Sequence, residues 1–169
     1  MFVGRVKNIL LTGRPGVGKS TLIKRMVDRL RDLGYTGIGG FYTLEVRRGC
    51  KRTSFRIHAL DGREGRLAEA GLESRYRLGR YGIDAVERGY TVIIDEIGFM
   101  ELKSRRFREL VEEAFEGPCP VVATVMRSRC RFADRLKARE DVKVIVVRVE
   151  NRERLVDDVV DILLKGGMT

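Results

Sequence analysis

Several features are scarce in this 169-residue chain, and each scarcity removes a class of protein. There is no run of eighteen or more apolar residues, so no segment reads as a membrane-spanning helix. The apolar run before residue 12 is too short for a signal peptide and leads straight into a glycine-rich loop that cannot be cleaved away. Cysteine occurs three times (Cys50, Cys119, Cys130) without metal-ligand spacing, and an odd number without an export signal fits a reducing cytoplasm rather than a disulfide framework. The single histidine, His58, has no carboxylate or cysteine beside it and reads as structural. No internal repeat and no linker interrupts the chain, so residues 1–169 are read as one domain, long enough to bury a core.

Acidic residues are also in short supply: 24 against 34 basic ones, a net charge of +10. Much of the excess clusters at Arg47-Arg48 with Lys51-Arg52, at Lys103 to Arg108 and at Arg127 to Arg139. Such a surface attracts polyanions, nucleic acid included. No DNA- or RNA-binding motif accompanies it, which favours a solvated, ion-paired surface instead.

What is present begins at Asn8. The apolar run Ile9-Leu10-Leu11 passes into Thr12-Gly13-Arg14-Pro15-Gly16-Val17-Gly18-Lys19-Ser20-Thr21, and an apolar-periodic helix follows at once. This is the phosphate-loop pattern, strand before and helix after. Glycines 13, 16 and 18 allow backbone conformations in which successive N–H groups face a phosphate, and the helix start adds partial positive charge. Lys19 supplies a point charge for the β- and γ-phosphates, Ser20 a hydroxyl for Mg²⁺, and Thr21 reaches toward the α-phosphate. The whole stretch Gly13 to Thr21 is therefore the expected nucleotide-binding segment.

Leu22, Ile23, Met26, Val27, Leu30 and Leu33 share one helical face, ended by Gly34. Gly37 to Arg48 and Thr53 to Leu60 alternate as strands around Gly49-Cys50, a pair suited to a type II′ turn. Period two puts Thr43, Glu45 and Arg47 on one strand face, either solvated or lining the site; spacing alone does not decide between them. Asp61 to Gly82 reads as loop with short irregular elements.

Thr91-Val92-Ile93-Ile94 then runs into Asp95-Glu96, a Walker B pattern at the carboxyl end of a buried parallel strand. Asp95 is expected to hold Mg²⁺ opposite Ser20, and Glu96 to orient or polarise the attacking water. Phe107, Leu110, Val111, Ala114 and Phe115 line a helix stopped by Gly117-Pro118. Pro120 to Met126 reads as a buried strand with Thr124 as a core residue near its end. Loop and helix follow over Ser128 to Arg139, then a last buried strand over Val142 to Val149 and a final helix capped by Asn151. Alternating strands and helices specify an α/β, three-layer, doubly wound P-loop fold, mainly parallel, with an antiparallel hairpin added near one edge.

In Gly13 to Leu22, Gly40-Phe41-Tyr42-Thr43 with Glu45-Val46-Arg47, Ser54 to Ile57, Gly79-Arg80-Tyr81, Asp95 to Gly98 with Met100-Glu101-Leu102, and Asn151-Arg152, the chain resembles the small P-loop nucleoside-triphosphatases. That family includes the cancer-related nucleoside-triphosphatase of animals, and the likeness covers almost the whole length. The resemblance implies slow, Mg²⁺-dependent hydrolysis of ATP, GTP and other nucleoside triphosphates with little base preference. It also implies that the Thr43/Glu45/Arg47 face serves the site. Three departures stand out: Phe99 where the family usually has lysine, Ser54 where it favours glycine, and a shorter connection from Tyr81 to the Walker B strand, with Ile83 to Gly89 allowing about two helical turns.

The expected protein is thus a monomeric cytoplasmic nucleoside-triphosphate phosphohydrolase. Lys19 and Glu96 are its catalytic residues, with Arg47 as the cation that meets charge developing in the transition state. Arg127 is the next candidate for that cation. Two rivals remain: a nucleotide or small-molecule kinase, which needs an acceptor pocket and a closing lid, and a nucleic-acid-associated switch timed by hydrolysis.

Overall fold

The structure, a computed structural model, describes the backbone of residues 6–48, 51–60, 64–66 and 85–166, and side chains for 6–42, 59–60 and 85–165. Among the described residues five strands run parallel to one another: β1 (Asn8–Thr12), β2 (Ile38–Arg48), β5 (Thr91–Ile97), β6 (Val121–Val125) and β7 (Val142–Val146). Beyond β2 lie β3 (Lys51–Ala59), antiparallel to it, and β4 (Glu64–Arg66), antiparallel to β3. The full order is β4-β3-β2-β5-β6-β1-β7. The expected turn at Gly49-Cys50 and most of Asp61 to Gly82 lie outside the described residues.

Central parallel strands are covered on both faces, which is why β1, β5 and β6 each carry an apolar run, Ile9 to Leu11, Val92 to Ile94 and Val121 to Ala123. Residues one apart then belong to opposite layers. Leu10, Val92, Ile94 and Ala123 face one core, with Phe107, Val111 and Phe115 of α2 (Arg105–Glu116) and Phe132 and Leu136 of α3 (Arg131–Lys137). Ile9, Leu11, Ile93 and Val122 face the other, with Leu22, Ile23, Met26 and Leu30 of α1 (Lys19–Asp32) and Leu155, Val159 and Leu163 of α4 (Arg152–Gly166). Among the described residues these helices, two on each face, make the three-layer α/β arrangement that the alternating pattern specifies. Gly40 shows how tightly β2 meets β5: at φ 101° a Cβ there would sit 2.0 Å from the Ile93 carbonyl oxygen.

Two expectations need correction. The last strand is not buried and stops at Val146. It forms the sheet edge beside β1, with Val144 and Val146 exposed, while Val147 turns inward to the core. A strand with one neighbour keeps its apolar composition but lacks cover on its outer side, so composition alone misjudges its burial. Asn151 stands at the start of α4, where its carbonyl accepts from Leu155 N, yet its side chain turns back to close the preceding turn instead of capping the helix. Of Ile83 to Gly89, the residues from 85 onward are described, and 85–87 are helical.

Several arginines of the basic clusters are engaged with acids. Arg105 and Arg106 pair with Glu109, and Arg135 with Glu112. These are exposed pairs, which matter more for surface charge than for stability.

Candidate active site

The phosphate loop leaves the carboxyl end of β1, where α1 begins. Gly18 sits at the helix N-cap with φ 102°, a left-handed conformation that a Cβ would strain, and it turns the chain into α1. Lys19 opens the helix and is buried, its Nζ reaching inward to the carbonyls of Gly13 and Arg14 at 3.4 Å each. Those are long contacts for an ammonium. Arg14, Pro15, Gly16 and Thr21 are exposed, and Val17, Gly18 and Ser20 are half-buried.

β6 lies between β1 and β5, so the Walker B strand is not the loop strand's neighbour. The middle strand supplies a link instead. Thr124 is fully buried, and its hydroxyl donates to Asp95 Oδ1 at 2.5 Å. Asp95 is itself 0% exposed, a carboxylate taken out of water whose orientation this hydrogen bond fixes. The β5–β6 register shifts between Ile94 and Ile97, so the two acids stand where regular pairing is interrupted.

Glu96 is half-buried, and its pKa is raised above the ordinary carboxylate value. Burial is the main cause, opposed by the Lys19 ammonium and reinforced by the Asp95 carboxylate. Lys19, far in sequence from the adjacent pair Asp95-Glu96, therefore interacts with Glu96 at one end of the sheet. A third acid stands close by. A Cβ on Gly98 would lie 2.8 Å from Oε2 of Glu101 and 3.7 Å from Oε1 of Glu96, so both carboxylates flank this glycine. Phe99, at the position of the expected family lysine, is 57% exposed.

Ser20 and Asp95 suit Mg²⁺. Both offer hard oxygen donors at the carboxyl end of the sheet, and Asp95 is a buried anion with one oxygen engaged by Thr124. No group of three or more histidine, cysteine, aspartate or glutamate residues that would hold a metal occurs among the described residues. Magnesium is commonly bound by one or two protein groups together with phosphates and water, so that is the pattern to expect.

On the other side of the loop is a cleft of about 590 Å³, lined by Thr12, Gly13, Arg14, Val17, Arg127, Lys137 and residues 146–150. Thr12 Oγ1, at its base, is a buried side-chain oxygen without a hydrogen-bond partner among the described residues.

Arg47 is placed by its backbone alone. Phe41 of β2 pairs with Ile94 of β5, so two residues further along each strand Thr43 and Glu96 stand roughly level. Arg47 is four residues beyond Thr43, about 13 Å along an extended strand. The side chains of Thr43, Glu45 and Arg47 lie outside the described ones. Arg127, just past β6, borders the loop cleft. Reasoning from sequence favours a packing role for Thr124 over a contact to the γ-phosphate, and it leaves Glu101 and Arg152 without a role; the signal for the first is a hydroxyl one strand away from a buried acid.

Known proteins resemble this chain over most of its length. A model of the NTPase family matches residues 8–160. A nucleoside-triphosphatase THEP1 of Thermotoga maritima is 43% identical, the alignment covering 92% of this chain and 94% of the relative. One of Methanocaldococcus jannaschii is 34% identical over 94% of this chain and 98% of its own. Among solved structures, THEP1 from the hyperthermophile Aquifex aeolicus superposes with a TM-score of 0.71 at 32% identity, covering 92% of this chain and 98% of that one. A human cancer-related nucleoside triphosphatase does so with 0.78 at 29% identity, covering 96% and 100%. With a family model matching residues 8–160 and relatives and folds matched along nearly the whole length, the chain belongs to the NTPase family.

Proposed function

We propose that this chain hydrolyses ATP, GTP and other nucleoside triphosphates to the diphosphate and phosphate, with little preference among bases. By its family it is a nucleoside-triphosphate phosphohydrolase. The observation that carries hydrolysis by water is the meeting of Lys19 and Glu96 beside Asp95 at the end of the sheet where the phosphate loop begins. Backbone amides of Gly13 to Ser20 and the Lys19 ammonium would hold the triphosphate. The nucleoside would extend toward the cleft beside Thr12, on the side of β1 away from the Walker B acids. Magnesium, when bound by Ser20 and Asp95, supplies charge neutralisation on the phosphates. Thr124 keeps the Asp95 carboxylate aligned for it.

Glu96 orients a water and takes its proton as the water oxygen bonds to the γ-phosphorus. The bridging bond to the β-phosphate breaks, and its electrons stay on the diphosphate. The raised pKa of Glu96 brings a carboxylate nearer to the basicity that proton abstraction at neutral pH requires. Arg47 or Arg127 would meet the charge developing on the transferred group. The enzyme is expected to act as a monomer in the cytoplasm.

The test is initial-rate phosphate release from ATP, GTP, CTP and UTP, with and without Mg²⁺ and with and without alcohol or nucleotide acceptors. Comparable rates for the four, dependent on Mg²⁺ and indifferent to acceptor, are expected. Turnover only in the presence of an acceptor would make the protein a kinase.

A further inference from the structure

We propose that Arg152 is a positioning residue of the phosphate loop: it holds the Val17 carbonyl outward and so turns the Gly18 amide inward, toward the phosphates. The inference rests on Gly13 to Ser20 being the triphosphate site and adds a residue 135 positions away that shapes it.

Arg152 Nη1 donates to the Val17 carbonyl at 3.3 Å. The peptide joining Val17 to Gly18 is trans, and in a trans peptide the C=O and N–H vectors point opposite ways. Fixing the carbonyl on the outer side therefore fixes the Gly18 N–H on the inner side. The same side chain lies along the glycine, for a Cβ on Gly18 would be 3.5 Å from Nη1 and 3.7 Å from Cδ of Arg152. Glycine gives this peptide the widest rotational freedom of any residue, so the loop needs an external constraint where it is most mobile.

The anchor is well supported. Arg152 is the first residue of α4, whose Leu155 and Val156 belong to the same core as Leu22 and Ile23 of α1. Its neighbour Glu153 binds Arg25 of α1 at 2.5 Å, and Glu153 Oε1 is 3.7 Å from Arg152 Nε. The turn ahead of the helix is closed by Asn151, which accepts from Arg148 N at 2.8 Å and donates to the Val146 carbonyl at 2.9 Å. Arg152 thus carries the rigidity of the α1–α4 pair to one carbonyl of the loop. An amide oriented before the ligand arrives does not have to be ordered upon binding.

The experiment is titration of the full-length protein with MgADP by calorimetry, at about 0.1 M and about 1 M salt. Those concentrations set screening lengths of about 10 Å and 3 Å. Arg152→Ala is compared with the parent, Arg152→Lys and Lys19→Ala, and the Gly18 amide resonance is followed by NMR. Arg152→Ala is expected to raise the Kd about tenfold at both salt concentrations and to move the Gly18 resonance in the free protein. Arg152→Lys, which keeps a donor, should recover part of the loss. An unchanged Kd, a loss confined to low salt, or an unmoved Gly18 resonance would overturn the brace. If Lys19→Ala weakens binding and Arg152→Ala does not, the phosphate site stands and the brace alone fails. If Lys19→Ala binds MgADP like the parent, the site reading fails and the brace with it.

Discussion

The two ends of the central strands treat polar groups in opposite ways. At the amino end, protein supplies the partners. Asn8 is fully buried, yet its side chain donates to Asp141 and accepts from Val121 N. Lys7 donates to the carbonyls of Phe115 and Gly117, closing the end of α2. Arg139 grips Asp141 through two nitrogens, which holds that carboxyl below its usual range. At the carboxyl end, among the described residues, Thr12 Oγ1 is buried without a hydrogen bond, Lys19 makes long contacts to carbonyls, and burial pushes Glu96 up in pKa. Buried polar groups without good partners cost stability. One end is therefore built to hold the fold, and the other is kept ready for a charged ligand.

The largest expected breach of this contrast is Lys19→Ala. It removes the cation of the reactive end, so turnover should become undetectable in a phosphate-release assay while circular dichroism stays that of the parent. Parental turnover would relocate the active site. Glu96→Gln comes next, with kcat expected to fall by about 10²–10⁴ and the affinity for Mg²⁺–nucleotide kept. An equal loss of affinity would move Glu96 among the groups that bind the ground state. Because burial disfavours its charge, the same variant should melt higher than the parent at pH 7 when free of ligand, as a scan can show.

Asp141→Ala tests the other end and should leave kcat and KM unchanged while costing about 1–3 kcal/mol in chemical unfolding, since Asn8 and Arg139 lose their acceptor. The pH dependence has a definite sign. The folded pKa of Asp141 is lowered from 3.8, so its contribution is present above that value and is lost as pH falls through the folded pKa. Unfolding curves of parent and variant should converge in acid; a constant gap would argue against the ion pair as the source.

Arg47→Ala is expected to lower kcat at least tenfold, about 1.4 kcal/mol of barrier, with little change in KM. The strand register gives this test its edge, because the backbone of Arg47 lies about 13 Å along an extended strand beyond Thr43, which is roughly level with Glu96. An unchanged kcat, paired with a fall in Arg127→Ala, would assign the cation to the loop after β6. The smallest effect is that of Thr12→Val. Replacing a buried hydroxyl that lacks a partner among the described residues by a methyl of the same shape should stabilise the free protein by roughly 1 kcal/mol or less. A destabilised variant would show that the hydroxyl has a partner in solution.

Much of this was readable before any coordinates. The loop from Gly13 to Thr21 and the acids Asp95-Glu96 combine special residue types with fixed positions relative to strand and helix, and such coincidences survive in one dimension. The alternating elements gave the three layers for the same reason. The misses share a cause as well: each depended on what lies beside a residue in space. Val142 to Val146 is apolar whether covered or at an edge, and only the order β6-β1-β7 decides. Thr124 resembles any core threonine until β6 is placed next to β5, where its hydroxyl meets Asp95. Arg152 sits in a helix start 135 residues from the carbonyl it holds, a separation at which sequence offers no periodic signal. Asn151 fitted a cap by residue type, but the turn before it offered the side chain better partners.

The position of β6 also has a consequence for the chain as it is being made. The phosphate-loop strand pairs with β6 and β7, and the Walker B strand reaches it only through β6. A nascent chain that has been extended to Ile97 already contains the phosphate loop and the Walker B acids, yet β1 has no neighbouring strand and Asp95 has no Thr124. Contacts between segments this distant form late, because the intervening chain must first be closed into a loop. Synthesis therefore separates possession of the catalytic residues from possession of the catalyst, and the interval ends only when Val121 to Val125 slides in between them.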